Sequence, residues 1–171
     1  MYHTALLYRI SWSLNVLRQS GRKQPPEIVS YIRSMYACLQ NVAPGWANYP
    51  LLNDTFYREA PSRKSCLSFV DRIVDVSSAK GETAGLSGDS GYYTVKSGST
   101  TVIVDGGVPC PAHLPAHAHN DIGNIVLWID EDPVITDTGV YDYQPGDRRD
   151  YARSVTAHNT VQIGENDQTV T

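Results

Sequence analysis

The spacing of apolar residues changes along this chain, and that change constrains the fold more than any other feature. Over the first 75 or so residues, apolar side chains recur every three or four positions, which predicts helices at 1–20, about 26–39 and about 62–74. Gly21 is placed to end the first helix and Pro26 to open the second. The expected buried stripe of the first helix is Leu6, Ile10, Leu14 and Leu17. We therefore expect antiparallel helices joined by loops in this part.

From about residue 81 the chain changes character, since residues 81–91 are rich in Gly and Ser and short apolar runs follow. The turn residues Gly98-Ser99 and Asp130–Pro133 predict two hairpins. The predicted strands are Tyr92–Lys96, Thr100–Asp105, Asn124–Ile129, Val134–Thr136 and Ser154–Ile163. The expected fold class is α+β, with a helical segment at 1–75 and an antiparallel β domain at 76–171.

Composition and charge argue against several classes of protein. A formal net charge of −4 gives no clustered basic surface, so no nucleic-acid partner is expected. No segment approaches the roughly 20 apolar residues of a membrane helix, so no membrane span is expected. The three cysteines are widely spaced and form no C-x-x-C pair, which predicts free thiols. The sequence leaves the oligomeric state open.

Three of the five histidines stand in short polar motifs that also bring a carboxylate. His117 and His119 flank one alanine in a segment expected to be strand-like, which would place both rings on one face. Asp137 and His158 follow at predicted strand-to-turn positions. Imidazole and carboxylate are ligands that zinc prefers, and histidine also transfers protons near neutral pH. These residues predict either a metal site beside an available histidine, or histidines hydrogen-bonded within a sheet.

Tyrosine and arginine side chains are concentrated between residues 141 and 153. The stretch contains Tyr141, Tyr143, Arg148, Arg149, Tyr151 and Arg153. Tyrosine rings pack on sugar faces, and a guanidinium group pairs with a carboxylate or sulfate through two hydrogen bonds. The stretch predicts a surface for an anionic sugar, with a solvated, salt-bridged loop as the alternative.

Taken together, these segments resemble the heparinase II/III-like polysaccharide lyases, which include heparin-sulfate lyases and related alginate lyases. The resemblance covers essentially the whole chain, and the block from 115 to 161 is its most specific part. It rests on the motifs at 1–3, 90–93, 117–121, 137–143, 149–154 and 157–161, whose order and spacing are those of the family.

The resemblance implies the end of an α/α toroid in residues 1–75, followed by the start of an antiparallel β-sandwich. It also implies cleavage of uronic-acid-containing polysaccharides, heparin- or alginate-like, by β-elimination. That reaction needs a neutralised carboxylate beside the C5 proton, a group that removes this proton, and an acid for the O4 leaving group.

The family's functional residues carry over by position. Tyr2 matches the tyrosine that donates to the leaving oxygen, and His117 matches the histidine that assists proton abstraction or binds the carboxylate. Tyr143 is the preferred match for a further tyrosine at the substrate. The expected substrate-binding residues are His3, Arg149 and Tyr151. His119, Asp137 and His158 match the ligands of a structural zinc ion.

The resemblance also implies a longer parent protein. The family's carboxylate-neutralising asparagine precedes the Tyr-His pair, and this sequence begins at that pair. We therefore expect this chain to be a fragment that has little lyase activity alone. We expect the parent protein to be located in the cell envelope, either periplasmic or secreted.

Two other functions remain open. One is a non-catalytic carbohydrate-binding or envelope polysaccharide protein that keeps a zinc-stabilised β-sandwich. The other is a cupin-type metalloenzyme, since cupins also use His-X-His on a strand. Cupins add a glutamate a few residues later, whereas Ile122, Gly123 and Asn124 follow Asp121 here.

Overall fold

The computed structural model describes residues 1–42, 49–77, 79, 85–86, 90–110, 113 and 115–168. The chain forms two compact units. The helical unit comprises Met1–Tyr49 and Tyr57–Thr83, and the β unit comprises Pro50–Phe56 and Ala84–Thr171. Most of the Gly- and Ser-rich stretch at 81–91 lies outside the described residues.

The helical unit contains α1 (Tyr2–Gln19), α2 (Pro26–Val42) and α3 (Arg63–Asp71), which confirms the predicted helices. Ser62 caps α3, since its hydroxyl accepts a hydrogen bond from the Ser65 amide at 3.2 Å. Within the described ranges, no helix combines the length and apolar character that a membrane crossing requires.

The predicted stripe of α1 is confirmed in part, since Leu14 is buried and Ile10 packs against the core. The buried residues of α1 are Thr4, Leu7, Ser11 and Leu14. Leu6 is 52% exposed. The small Thr4 and Ser11 side chains allow close approach of the neighbouring helix, and the Cys66 thiol of α3 donates to the Thr4 carbonyl at 3.5 Å. Leu7 and Leu14 pack with Ile32, Leu39 and Val70 in one apolar core, and each such burial contributes roughly 1.5–3 kcal/mol.

The β unit is built on a five-stranded antiparallel sheet in sequential order. Its strands are β1 (Gly85–Leu86), β2 (Tyr92–Ser97), β3 (Thr100–Asp105), β4 (Asn124–Ile129) and β5 (Asp132–Ile135). Both predicted hairpins are confirmed. The second turn is tighter than expected, because Asp130 and Glu131 both adopt positive φ (57° and 99°), as a two-residue hairpin turn requires.

The predicted strand at Ser154–Ile163 is wrong. The helix α4 (Asp147–Arg153) is followed by a 3-10 turn at Val155–Ala157 and then by irregular chain. Side chains take the hydrogen bonds that a neighbouring strand would have taken: the Val155 amide donates to Asp167 Oδ1 (2.8 Å) and the Asn159 amide to Asn124 Oδ1 (3.0 Å). His117 likewise lies in a 3-10 helix, Pro115–His117, rather than in a strand.

The buried face of the paired strands β3 and β4 becomes more polar toward one end. The alternating buried residues of β3 and β4 pair as Thr101 with Trp128, Ile103 with Val126, and Asp105 with Asn124. A carboxylate and an amide at the end of an apolar face need partners, because burying them unpaired is costly. These partners come from the loops described below.

Pro50–Phe56, here called the strap, belongs to the β unit although it precedes α3 in the chain. Asn53 Nδ2 donates to the Tyr92 hydroxyl (3.1 Å) and to Asp105 Oδ2 (3.3 Å). The Val140 amide donates to the Thr55 carbonyl at 3.1 Å. Gly139, at φ +60°, passes so close that a Cβ atom there would lie 2.1 Å from the Thr55 carbonyl oxygen. The strap is therefore fixed by close backbone contact.

Two glycines with the same backbone conformation test this contact. Gly98 adopts φ +58° with no atom within 4 Å of an added Cβ, whereas Gly139 faces the strap. Gly98→Ala carries only the left-handed backbone penalty of about 1 kcal/mol. We expect Gly139→Ala to destabilise by about 3 kcal/mol or more, since it also displaces the strap. Urea unfolding followed by tryptophan fluorescence compares the two, and equal losses would contradict the close contact.

Candidate functional site

Asp54, at the centre of the strap, binds two of the predicted site histidines. Its side chain is buried, with 2% exposure, yet it carries a carboxylate. Asp54 Oδ2 lies 2.6 Å from His117 Nδ1, and Oδ1 lies 2.8 Å from His119 Nε2. The Arg149 guanidinium spans both oxygens, with Nη1 at Oδ1 and Nη2 at 3.1 Å from Oδ2. These four residues are called the Asp54 cluster.

The partners of Asp54 keep it ionised. Burial raises the pKa of Asp54, but the hydrogen bonds from His119, Arg149 and His117 and the arginine charge outweigh it, so the pKa lies well below its usual range. An ionised carboxylate only accepts hydrogen bonds. His117 therefore donates from Nδ1 and His119 from Nε2.

The loop that carries the histidines is held by α4. Arg149 Nη2 donates to the Ala116 carbonyl at 3.2 Å, and Arg153 Nε donates to the Ala118 carbonyl at 2.9 Å. In return, the Asn120 amide donates to the Arg153 carbonyl at 3.0 Å. The arginines of the predicted sugar-binding stretch thus shape the histidine loop, which the sequence did not suggest.

His117 and Tyr143 stand side by side at the Asp54 cluster. Their ring centroids are 6.3 Å apart in an edge-to-face arrangement. The Tyr143 hydroxyl donates to the Asp54 carbonyl at 3.3 Å, and the Arg149 guanidinium carbon lies 5.5 Å from the Tyr143 ring centre. The His117 side chain is 45% exposed and Tyr143 is 40% exposed. The structure therefore brings together His117, Tyr143 and Arg149, and solvent reaches the first two.

The predicted metal ligands lie in an adjoining buried region. His158 Nδ1 is 2.8 Å from Asp137 Oδ2, and both side chains are fully buried. Asn124 Nδ2 also donates to Asp137 Oδ2, at 2.6 Å, and the Gly139 amide donates to Oδ1 at 2.8 Å. The His119 and His158 ring centroids are 5.3 Å apart. All three predicted ligands are thus neighbours.

Unpartnered buried atoms in this region fit a cation. No set of three or more His, Cys, Asp or Glu side chains among the described residues is already arranged around a common point. However, His119 Nδ1, Asp121 Oδ2 and His158 Nε2 are buried without a hydrogen-bond partner in the described part of the chain. Burial lowers the pKa of His119, so its ring is neutral near pH 7 and Nδ1 carries a lone pair, because Nε2 bears the proton. A buried lone pair beside a carboxylate and a second imidazole matches the donor set of zinc.

Asp121 adds a second buried carboxyl group to this region. Its side chain is 1% exposed, and burial followed by the charge of Asp105 raises its pKa to about 7. Burial also raises the pKa of Asp105. Carboxyl groups forced toward the neutral form indicate a region short of positive charge.

The other predicted site residues lie elsewhere. Tyr2 and His3 are in α1 of the helical unit, where Tyr2 is 52% exposed and His3 Nε2 lies 2.8 Å from the Met35 carbonyl. Tyr151, in α4, is 55% exposed and lines an open pocket with Tyr141 and Arg148. The Arg148 guanidinium carbon stands 4.4 Å from the Tyr141 ring centre. The roles predicted for Tyr2, His3 and Tyr151 stay predictions.

Sequence reasoning missed Asp54 and Asn124. Asp54 stands 63 and 65 residues before the histidines that it binds, in a loop with no motif of its own. Asn124 read only as the first residue of a strand, although its amide holds both Asp137 and the Asn159 backbone. The one available signal was period two, which places Asn124 on the same face as Val126.

The raised pKa of Asp121 predicts a pH-dependent stability for the metal-free protein. An unfolded aspartate titrates near 3.9, so between pH 4 and 7 the unfolded chain loses this proton before the folded chain does, and stability falls as pH rises. We expect Asp121→Asn to be more stable than the parent chain at pH 8 in EDTA and nearly equal to it at pH 4. Urea unfolding at both pH values measures this. A difference that does not vary with pH would contradict it.

Comparisons with known proteins identify the family and the fold. The family model for the heparinase II/III-like C-terminal domain matches residues 79–171. A heparinase III structure is 19% identical with a TM-score of 0.70, covering 97% of this chain and 31% of that one. A heparan sulfate lyase, HepC, from Pedobacter heparinus is also 19% identical at a TM-score of 0.70, with 97% of this chain and 29% of that one covered. No curated protein matches the chain.

The structural similarities confirm the expected fold class, a helical part of the heparinase III type followed by its antiparallel β-sandwich. The chain spans about three tenths of the length of these solved relatives. Because the family match covers more than half of its residues, the chain belongs to the heparinase II/III-like family.

Proposed function

We propose that the protein carrying this chain is a polysaccharide lyase that cleaves uronic-acid-containing chains by β-elimination. The observation that carries the proposal is the His117–Asp54 pair, at 2.6 Å, beside Tyr143 in a member of this family. A heparan sulfate lyase among the solved relatives supports heparin or heparan sulfate as the substrate class, and alginate shares the required uronic acid.

The residues of the Asp54 cluster suit the proton steps. Since Nδ1 of His117 donates to Asp54, proton exchange with a substrate falls to Nε2. Removal of the C5 proton leaves an electron pair that forms the C4–C5 double bond as the C4–O4 bond breaks. The departing O4 takes a proton from a tyrosine, the role proposed for Tyr2, while Tyr143 contacts the sugar.

Arginine residues give the sugar surface its charge. Arg149 is buried and its charge is paired with Asp54, so it contributes to substrate binding by holding Asp54 and the Ala116 carbonyl in place. Arg148 and Tyr151, both exposed, are better placed for direct contact with a sulfate or carboxylate. His3 remains a proposed substrate contact.

We also propose a structural zinc ion held by His119, Asp137 and His158. When bound, zinc supplies positive charge and a cross-link between the histidine loop, the end of β5 and the segment after α4. Asn124 and the Gly139 amide orient Asp137 through its oxygens, and Asp54 orients His119 through Nε2. We further propose that the parent lyase is exported to the periplasm or secreted, where it would meet anionic polysaccharides.

Lyase activity is tested by the absorbance of unsaturated uronide products on heparin, heparan sulfate and alginate. We expect the complete gene product that contains these residues to be active and the 171-residue chain alone to show little turnover. His117→Ala in the complete protein should lower kcat/KM roughly 100- to 10,000-fold, the usual contribution of a general base. His113→Ala, at an exposed turn position, is the matched control and should leave the rate unchanged.

Binding of these polysaccharides without turnover would overturn the lyase proposal and support the non-catalytic alternative. Equal rates for His117→Ala and His113→Ala would remove His117 from the reaction.

Zinc binding is tested on the chain itself by elemental analysis and thermal unfolding. We expect one zinc per chain, and a stabilisation of about 2.7 kcal/mol when free zinc exceeds Kd 100-fold. Asp137→Asn keeps the shape of the side chain but removes a ligand charge, so it should bind zinc weakly. Iron in place of zinc would favour the cupin-type alternative, and unchanged zinc binding by Asp137→Asn would contradict the ligand set.

A further inference from the structure

We infer that Asp54 is a positioning residue that selects the proton-bearing nitrogen of His117 and of His119. The inference rests on the proposed function, because it assigns His117 to the proton step and His119 to the metal. The family match begins at residue 79, so Asp54 lies outside it.

The two carboxylate oxygens are divided between the histidines. Oδ2 lies closer to His117 Nδ1, at 2.6 Å, than to Arg149 Nη2, at 3.1 Å. Oδ1 accepts from His119 Nε2 and from Arg149 Nη1. Each oxygen thus serves one imidazole and one guanidinium nitrogen, and a carboxylate offers room for all four donors.

This division sets the tautomer of both rings. A neutral imidazole carries one proton, and Asp54 draws it to Nδ1 of His117 and to Nε2 of His119. The lone pairs are then at His117 Nε2 and at His119 Nδ1, the buried atom without a hydrogen-bond partner among the described residues. One carboxylate therefore directs one lone pair to the substrate side and the other to the metal side.

Asp54 is held in place independently of the histidines. Its carbonyl accepts from the Tyr143 hydroxyl, and its neighbours Asn53 and Thr55 are bound to Tyr92 and to the Val140 amide. The strap therefore holds the Asp54 backbone through contacts that do not involve either histidine ring. The hydrogen bond to Asp54 matters most for His117, because a side chain that is 45% exposed otherwise samples several rotamers.

Asp54→Asn keeps the shape of the side chain but replaces one acceptor oxygen by an NH2 donor. The variant therefore tests whether Asp54 orients the histidine rings or only fills space. The amide must place NH2 at one of the two oxygen positions, where it faces an imidazole donor. The oxygen should keep the Oδ1 position, which faces the fully buried His119, so NH2 should face His117, whose ring is partly exposed and can change its tautomer. We expect His117 to change to the tautomer protonated at Nε2, while His119 keeps its proton at Nε2.

Long-range proton–nitrogen NMR spectra of the 171-residue chain at one fixed pH report these tautomers directly. The unsubstituted chain should show His117 protonated at Nδ1 and His119 protonated at Nε2. This measurement does not depend on whether a variant folds. Zinc affinity of Asp54→Asn should fall 10- to 100-fold, as for loss of a group that orients a metal-bound histidine. The control is Asp71→Asn, which makes the same change at a carboxylate that accepts from the Tyr36 hydroxyl in the helical unit and should change neither readout.

The inference is overturned if the parent chain shows the opposite tautomers, or if Asp54→Asn leaves both the His117 tautomer and the zinc affinity unchanged. Absence of turnover by the complete protein, with the expected tautomers present, would remove the lyase proposal and leave the positioning role of Asp54 standing.

Discussion

The buried carboxylate of Asp54 is the constraint on which the candidate site depends. Removing an ionised carboxylate from water costs several kcal/mol unless charged and hydrogen-bonding partners replace the solvent. Those partners are two histidines on one loop and Arg149 on α4, and the strap that carries Asp54 reaches them from 63 to 95 residues earlier in the chain. Each of these three segments is irregular or short, so none is ordered by regular secondary structure alone. The strap, the histidine loop and α4 must therefore assemble together.

Where local chemistry determines structure, the sequence predicted it. Apolar spacing identified the helices, and Gly98 and Asp130 marked turns, because glycine and aspartate adopt positive φ more readily than most residues. Predictions failed where contacts between distant segments determine which face of a helix is buried or whether a segment forms a strand. In α1 the helix period was right but Leu6 is exposed, because the face with Thr4 and Ser11 packs against the other helices. Residues 154–163 have strand-like composition, yet the amides of Val155 and Asn159 donate to the side chains of Asp167 and Asn124.

The candidate site shows the same division. His117, His119, Asp137 and His158 were recognisable because their residue types carry chemistry and their motifs match a family. His-X-His was assigned to a strand, whereas Pro115 begins a 3-10 turn there, so the two rings converge on Asp54 through loop geometry rather than strand alternation. Asp54 itself is one aspartate in a loop, and its importance arises only from residues far along the chain. No local pattern distinguishes it from an exposed turn residue.

His119 links the two halves of the site. Its Nε2 donates to the well-neutralised Asp54 cluster, and its Nδ1 belongs to a region where Asp105 and Asp121 lack matching positive charge. The contrast between the two regions is physical: Asp54 has an arginine and two imidazoles, whereas burial raises the pKa of Asp121 to about 7. A cation beside His119 would correct this imbalance, and the ring would hold that cation in fixed relation to Asp54. Asp54 also holds His117. The charge of the buried carboxyl groups near His119 and the orientation of the exposed His117 ring therefore depend on one connected set of residues.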